Sequence, residues 1–376
     1  MDAQQLIEMI HPIVDDGEVP GAVVGVVHHG HTSVAGVGHT EPGGATAMTA
    51  DAVMRISSNT KPMVASVALL LVQDGVLHLD DLVEEFVPEL TGRRVLRQLD
   101  GPIQDTVPVQ RSMTIEDLLT MRMGFGFVFE SACPAVEAAA AAGLGFGPPD
   151  PSTPFSPDEW VDRFARLPLL EQPGMVWRYE LAFGVLGVVL ARVTGKSLDV
   201  VMRERLFTPL GMTQTGFLAP PQHLVPAFAQ SENGLVLFDS AFESRWSTPQ
   251  AFPDARSGLV STVGDLLQFT RMLLEDGGGL LSPESVAVMT SDHLTAEQRS
   301  GPSAQAFLDG GGWGYGVGVT DGKCGRRYGW GGGLGTLWYS WPEHDTAVIL
   351  MTQVLPPSTE LFDAFTNAVE ATLNPS

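Results

Sequence analysis

Ser58 and Lys61 are the residues whose types and spacing most strongly suggest chemistry. They stand three positions apart at the start of an apolar segment with helical periodicity, and residues three apart on a helix are neighbours. A serine becomes an effective nucleophile when a neighbouring group removes its proton. Apolar surroundings lower the basicity of a lysine, and a helix N-terminus favours negative charge on a nearby serine. The pair therefore predicts a nucleophile, Ser58, and a general base, Lys61.

The use of lysine in this chain supports that interpretation, although the spacing alone is a weak signal. Only three of the 21 Lys and Arg residues are lysines, and an arginine cannot serve as a base because its guanidinium keeps its proton. Two alternatives stay open. Ser58 can cap the helix while Lys61 extends towards water. Ser57 is a competing nucleophile, but its spacing of four residues to Lys61 does not match the motif.

Two further motifs contain groups that could assist a serine nucleophile. Tyr179 precedes a long apolar helix, and a tyrosine at a helix start in a cleft can carry a proton to and from a leaving group. The segment from Trp330 to Gly335 has the sequence WGGGLG and precedes a strand. Its glycines let a substrate approach the backbone closely, and free N–H groups at a strand edge can bind an oxyanion. Taken singly, Tyr179 is better explained as a tyrosine that packs under a loop, and the glycine-rich segment is plausible as a turn before a strand.

Aromatic residues near these motifs are candidates for the substrate pocket. Phe125, Phe127 and Phe129 alternate along the chain and either line an apolar acyl pocket or pack in the core. Trp313 and Tyr315 precede the glycine-rich segment and are second-rank pocket candidates. The histidines of the predicted first hairpin turn have no second ligand cluster, so a solvated turn is favoured over a metal site; they are His28, His29 and His31.

Composition narrows the classes of partner. The chain has 376 residues and a net charge of −23, which argues against binding to nucleic acid or to anionic lipid. The two cysteines, Cys133 and Cys324, form no CxxC pattern, so neither a disulfide framework nor a structural zinc site is expected. The N-terminus lacks the features of a signal peptide, and no apolar run is long enough for a membrane span. We therefore expect a cytoplasmic protein without cofactor or metal that acts on a small molecule.

The elements follow from the periodicity of apolar residues. A first helix leads into a Val-rich hairpin, a short strand at 53–56 and the buried helix, which has Ser58 near its N-cap. The middle of the chain is helical, with an Ala-, Gly- and Pro-rich loop at 135–154. A strand meander and a closing helix from Ser358 end the chain. This order predicts an α+β fold, in which terminal helices flank an antiparallel sheet and a helical domain is inserted. The predicted division places 1–79 with 257–376 and leaves 80–256 as the helical domain, with the active site in the cleft between them.

The three motifs, in this order, resemble those of the serine β-lactamase-like superfamily, which includes class C β-lactamases, DD-peptidases and family VIII carboxylesterases. The resemblance covers nearly the whole chain, with segments at 55–81, 113–125, 173–217, 257–274 and 328–336. It implies a β-lactamase/DD-peptidase-like fold and an acyl-enzyme at Ser58. It also implies that Lys61 and Tyr179 exchange protons. The backbone N–H groups of Ser58 and Gly333 would form the oxyanion hole.

The departures from the family pattern indicate the substrate. Leu181 stands where the lactamases carry the Asn of Tyr-x-Asn, and Trp330-Gly331-Gly332 stands where they carry Lys-Thr-Gly. The groups that would orient a β-lactam amide and carboxylate are therefore missing, whereas Trp-Gly-Gly is similar to family VIII esterases. We expect a carboxylesterase for small or medium acyl esters. The alternatives are a β-lactamase or D-amino peptide hydrolase, an acyltransferase using the same acyl-enzyme, and a non-catalytic binder.

Overall fold

The computed structural model describes residues 1–147, 150–219 and 223–374. Its α-helices are α1 (Ala3–Asp15), α2 (Thr60–Gln73), α3 (Val83–Phe86), α4 (Ile115–Leu119), α5 (Pro134–Ala141), α6 (Pro157–Ala165), α7 (Leu181–Thr194), α8 (Leu198–Met202), α9 (Thr208–Leu210), α10 (Val263–Leu274), α11 (Pro283–Met289), α12 (Pro302–Leu308) and α13 (Thr359–Leu373). Its strands are β1 (Gly21–His28), β2 (His31–Gly38), β3 (Met54–Arg55), β4 (Arg94–Leu96), β5 (Thr106–Pro108), β6 (Ala227–Ser231), β7 (Gly234–Asp239), β8 (Val260–Ser261), β9 (Gly312–Trp313), β10 (Gly318–Gly322), β11 (Gly325–Gly332), β12 (Thr336–Trp341), β13 (Thr346–Met351) and β14 (Val354–Leu355).

The main sheet has seven strands in the order β2-β1-β13-β12-β11-β10-β9, and every neighbouring pair is antiparallel. Because side chains alternate across a strand, each strand contributes to two cores. Val23 and Ile349 face the core that contains α2 and α10, whereas Val24 and Leu350 face α1 and α13. All six residues of β13 are buried since helices cover both faces. The predicted antiparallel sheet with flanking terminal helices is confirmed.

The hairpin of β1 and β2 turns at His29 and Gly30, both of which have positive φ. His28 is half-buried, and its Nδ1 lies 2.8 Å from the Thr346 hydroxyl oxygen, whereas His29 and His31 are exposed. Across the described ranges, no group of three or more His, Cys, Asp or Glu side chains has an arrangement that could hold a metal ion.

Local sequence signals account for the helix boundaries. Thr114 and Ser358 accept hydrogen bonds from the third residue of the helices that follow them, α4 and α13, as N-cap residues do. The expectation of a loop at 135–154 is wrong for its first part, because Pro134–Ala141 forms α5. Proline at the first helical position and a run of alanines favour a helix. Pro148 and Pro149 of the predicted loop lie outside the described residues.

The central segment is linked to the rest of the chain by strand pairing. In the three-stranded sheet β14-β6-β7, Val354 pairs with Phe228, and an isolated bridge joins Val53 to Leu224. The boundaries at 79/80 and 256/257 remain a prediction.

In the described part of the chain, no single helix is both long and apolar enough to cross a membrane. Within the same residues, α7 and the segment Leu198–Leu210 together have sufficient length and apolar character, but they are bent by 79° relative to each other.

Candidate active site

Ser58 lies in a tight turn between β3 and α2. Residues Ser57–Asn59 form one turn of 3₁₀-helix, and Asn59, not Ser58, occupies the N-cap position of α2. Ser57 has φ 48°, in the left-handed region that side chains rarely adopt. Its hydroxyl is fully buried without a hydrogen-bond partner among the described residues, whereas Ser58 is half-buried and lines a cavity. The turn thus exposes Ser58, and not Ser57, to the cavity.

Two sets of buried contacts hold this turn in place. The guanidinium of Arg55, the last residue of β3, pairs with Asp239 through its Nη2, and its Nε donates a hydrogen bond of 2.9 Å to the same carboxylate. On the other side, the Thr336 hydroxyl donates to the Ile56 carbonyl oxygen at 3.1 Å and accepts from Asn59 Nδ2 at 3.0 Å. The turn that contains Ser58 is therefore fixed to β7 and β12 by side chains that water does not reach.

The Lys61 amine is completely buried and has three hydrogen-bond acceptors. Its Nζ lies 3.1 Å from Ser58 Oγ, 2.7 Å from Glu180 Oε2 and 2.7 Å from the Arg256 carbonyl oxygen. An ammonium group has three N–H donors, so this arrangement satisfies all of them. The predicted contact between Lys61 and Ser58 is present in the structure.

The expectation that apolar surroundings lower the basicity of Lys61 is wrong. Burial does lower the pKa of Lys61, but the adjacent Glu180 carboxylate and the Tyr179 side chain raise it by more, so that it lies above its ordinary value. The apolar sequence around Lys61 gave no sign of this, because Glu180 is distant in the chain. In the resting state Lys61 is therefore an ammonium paired with a carboxylate.

Tyr179 lies two residues before the start of α7, and its ring faces Lys61, whose Nζ is 4.5 Å from the ring centre. The phenol oxygen accepts a hydrogen bond of 2.6 Å from Trp330 Nε1, and the ring stacks on Phe307 with centroids 4.3 Å apart. Burial raises the pKa of Tyr179, as does the negative charge of Glu180, although the Lys61 charge opposes the increase. Tyr179 is therefore a neutral phenol at neutral pH and has a proton to donate.

The glycine-rich segment lies at the end of β11, opposite Ser58. Gly332 packs so closely against the Ile56 carbonyl oxygen and the Thr336 hydroxyl that a Cβ atom there would overlap both. In the part of the chain that the structure describes, neither the Ser58 nor the Gly333 backbone N–H donates a hydrogen bond. Two free N–H groups on the wall of one cavity are the donors that a tetrahedral oxyanion requires.

Ser58 opens into a cavity of about 600 Å³ with mainly apolar walls. Its larger apolar side chains are Phe127, Phe307, Trp330, Leu337, Tyr339, Leu355 and Phe362. Among the described residues that line it, Glu180 is the one charged side chain. A second cavity, of about 500 Å³, lies beyond Trp330 and shares Phe307, Tyr339 and Phe362 with the first.

Some predicted pocket residues line this cavity and others do not. Phe127, Trp330, Gly331 and Gly332 line it together with Ser58, Tyr179 and Gly333. Phe125 is fully buried instead and packs edge-on against Phe164. Trp313 lies beneath Tyr179 and Trp330, where its Nε1 donates to the Leu119 carbonyl oxygen. The Tyr315 phenol reaches Glu116, away from Ser58. These three residues support the core and do not contact the cavity.

Several residues of the site have no clear signal in the sequence. Glu180 adjoins Tyr179, but its contact with Lys61 depends on an unusual backbone angle. Phe307 and Phe362 come from α12 and α13, far from the motifs in the chain. Arg256 contributes only its carbonyl oxygen, while its buried guanidinium pairs with Asp254 and binds the carbonyl oxygens of Leu144 and Gly145. Backbone acceptors and distant aromatic walls cannot be identified from residue types.

Comparison with known proteins gives concordant matches. The family described as Beta-lactamase matches residues 6–373. Protein Rv1367c of Mycobacterium tuberculosis is 33% identical over 365 residues, which cover 92% of this chain and 89% of that protein. Esterase EstB of Burkholderia gladioli is 28% identical over 384 residues, which cover 94% of this chain and 91% of that protein. Among solved structures, EstCE1, a hydrolase with promiscuous acyltransferase activity, superposes with a TM-score of 0.83 at 24% identity and covers 98% of both chains.

Proposed function

The chain belongs to the Beta-lactamase family, and from that premise we propose that it is a carboxylesterase that cleaves small or medium acyl esters through an acyl-enzyme at Ser58. The resemblance inferred from the motifs is confirmed at the level of the family and of the fold. The protein is an enzyme, a serine hydrolase of the β-lactamase-like type. The name of its relative EstB supports an ester as the substrate.

The charge of the cavity is the main observation that favours an ester over a β-lactam or a peptide as the substrate. The described lining residues include no lysine, arginine or histidine, and the one charged group is the Glu180 carboxylate. β-Lactams and peptides with a free C-terminus bring a carboxylate, and the cavity wall offers it no free cation, because the buried Lys61 ammonium is already paired with Glu180. A neutral ester with an apolar acyl group avoids that cost and fits the aromatic walls.

The two departures from the lactamase motifs support the same proposal. Leu181 is fully buried at the start of α7 and does not line the cavity, so it offers no amide to a substrate. Trp330 lines the cavity with an aromatic ring, and its N–H is already bonded to Tyr179. A polar substrate group left without a partner costs about 1–3 kcal/mol.

The proposed reaction uses the contacts around Ser58. When the neutral form of Lys61 accepts the Ser58 proton, Oγ bonds to the acyl carbon and the backbone N–H groups of Ser58 and Gly333 bind the oxyanion. The intermediate collapses as Tyr179 donates its proton to the leaving alkoxide, and Lys61 then returns a proton to Tyr179. Water attacks the acyl-enzyme with Lys61 as base, and the proton passes back to Ser58. No cofactor enters either half of the reaction.

Acyl transfer to an alcohol is a second candidate, favoured by the adjoining cavity of about 500 Å³ beyond Trp330. That space could hold an acceptor alcohol beside the acyl-enzyme. Transfer and hydrolysis share every step up to the acyl-enzyme and differ in which hydroxyl group attacks it. Product analysis with and without an added primary alcohol separates the two activities.

The choice between ester and lactam can be tested by specificity constants. We expect kcat/KM for p-nitrophenyl acetate or butyrate to exceed that for nitrocefin by about 100-fold or more, since two unpaired polar groups cost about 3 kcal/mol together. Ser58→Ala serves as the background control for both substrates. Comparable constants, or a preference for nitrocefin, would overturn the esterase proposal in favour of a lactamase.

A further inference from the structure

Glu180 connects the general base to the substrate cavity. Its Oε2 lies 2.7 Å from Lys61 Nζ, its side chain is only 11% exposed, and it lines the cavity of Ser58. Lys61 is completely buried at the same contact. A charge removed from water in this way depends on its partner, because the loss of one member leaves the other uncompensated. The charge of Lys61 is therefore coupled to that of Glu180.

The backbone at Glu180 is strained in a way that produces this contact. Glu180 has φ 101° and ψ −68°, values that side-chain-bearing residues rarely adopt. Glycine would adopt them without strain, yet this chain carries a glutamate. The conformation lets two consecutive side chains, those of Tyr179 and Glu180, both face Lys61. Such strain is typical of positions where function requires a particular geometry.

We propose that Glu180 is a positioning residue that holds Lys61 as an ammonium in the resting enzyme and so sets the pH above which Ser58 becomes reactive. The inference rests on the proposed acyl-enzyme chemistry at Ser58. Lys61 can accept the Ser58 proton only after it has lost one of the three protons that it directs at Ser58, Glu180 and Arg256. Without the carboxylate, burial would favour the neutral amine, and of the two side chains that raise the pKa of Lys61 only Tyr179 would remain.

The other groups that face this pair do not replace the carboxylate. Ser58 offers a neutral hydroxyl group and the Arg256 main chain a carbonyl oxygen. The Tyr179 side chain also raises the pKa of Lys61, but it is a neutral phenol at neutral pH and brings no charge to replace that of the carboxylate. The guanidinium of Arg256 is paired with Asp254 at 2.6 Å. Burial lowers the pKa of Arg256, but Asp254 and, less strongly, Glu180 raise it above its ordinary value. Asp254 hydrogen-bonds to Arg256 and not to Lys61. Among the described residues, Glu180 is thus the one carboxylate bonded to Lys61.

Glu180→Gln is an isosteric test of this role. It keeps the side-chain shape and the backbone conformation but removes the charge. We expect the rising limb of the pH profile of kcat/KM for a p-nitrophenyl ester to move to lower pH by about one unit or more. Glu89→Gln is the matched control, because Glu89 pairs with Arg192 at the same distance of 2.7 Å, remote from Ser58. A Glu180→Gln profile that coincides with those of wild type and Glu89→Gln would overturn the proposal.

A second measurement decides the matter even if the variant is too slow for a pH profile. Because the chain has three lysines, Lys196→Arg with Lys323→Arg leaves Lys61 as the sole lysine, and its ¹⁵Nζ signal can be titrated by NMR. We expect the Lys61 charge to persist to high pH in this background and to be lost at lower pH when Glu180→Gln is added. An unchanged titration would contradict the coupling. This readout needs no substrate, so it is independent of whether esters are hydrolysed.

Discussion

The indole N–H of Trp330 donates a hydrogen bond of 2.6 Å to the phenol oxygen of Tyr179. The motif resemblance aligns Trp330-Gly331-Gly332 with the Lys-Thr-Gly triplet of the lactamases, so that Trp330 takes the position of the lysine. A neutral donor thus replaces a cation beside the proposed proton donor, and it is held in place by the perpendicular ring of Trp313, 4.7 Å away. When Tyr179 gives up its proton, this N–H is directed at the phenolate oxygen.

Trp330→Phe should therefore slow ester hydrolysis while retaining an aromatic wall. A hydrogen bond that strengthens as charge develops is worth about 1.5 kcal/mol or more, so kcat should fall by about tenfold with little change in KM. Thermal unfolding of the variant checks that the fold is retained. In a Tyr179→Phe background the same substitution should have almost no further effect, because the acceptor is gone. Fully additive losses would show that Trp330 acts independently of Tyr179.

Gly332 and Gly331 form a matched pair of positions on β11. A methyl group at Gly332 would overlap the Thr336 hydroxyl and the Ile56 carbonyl oxygen, whereas at Gly331 its nearest neighbour is Phe362 at an ordinary 3.7 Å. Gly332→Ala should destabilise the protein by about 1–3 kcal/mol and impair acylation, because Ile56 leads into the Ser58 turn. Gly331→Ala should leave stability within about 1 kcal/mol. Urea denaturation of both variants tests this, and equal effects would contradict the packing described.

Asp239→Asn tests whether the buried pair of Asp239 with Arg55 anchors the turn that contains Ser58. Burial alone would raise the pKa of Asp239, but the charge of Arg55 and hydrogen bonds from Ser244 and Arg245 hold it below its ordinary value. Asp239 is 3% exposed, so its replacement should cost about 3–5 kcal/mol of unfolding free energy at pH 7 by leaving Arg55 unpaired.

The pH dependence of that loss has a definite sign. A carboxylate with a lowered pKa stabilises the folded state above its unfolded pKa and loses this contribution as the pH falls through the folded pKa. The difference in the free energy of unfolding between wild type and Asp239→Asn should therefore become smaller below about pH 4. Denaturation curves at pH 7 and at acid pH give the comparison. An equal difference at both pH values would show that the charge of Asp239 is not what stabilises the turn.

Local and periodic features of this fold could be predicted from the sequence, whereas contacts between distant segments could not. The apolar run after Lys61 predicts a buried helix. In the structure α2 is buried on every side, which is why its sequence is apolar on every face. The caps at Thr114 and Ser358 are also local signals. By contrast, the alternation of Phe125 and Phe127 cannot reveal that one ring packs against Phe164 while the other lines the cavity.

The charge state of the base is the clearest example of this limit. From the sequence, Lys61 lies among apolar neighbours, and a lowered pKa follows by ordinary reasoning. The structure brings Glu180 to within hydrogen-bonding distance from 119 positions away and reverses the direction of the shift. That approach depends on a positive φ at Glu180, which no residue preference predicts because glutamate rarely adopts it.

The most direct test of the account is the site of covalent modification. Incubation with a fluorophosphonate followed by peptide mapping should place one adduct on Ser58, because Ser58 alone of the two adjacent serines lines the cavity and contacts Lys61. Ser58→Ala should remain folded, carry no adduct and hydrolyse no ester, while Ser57→Ala should still be labelled at Ser58. An adduct on Ser57, Ser257 or Ser261 with Ser58 unmodified would contradict the proposed acyl-enzyme.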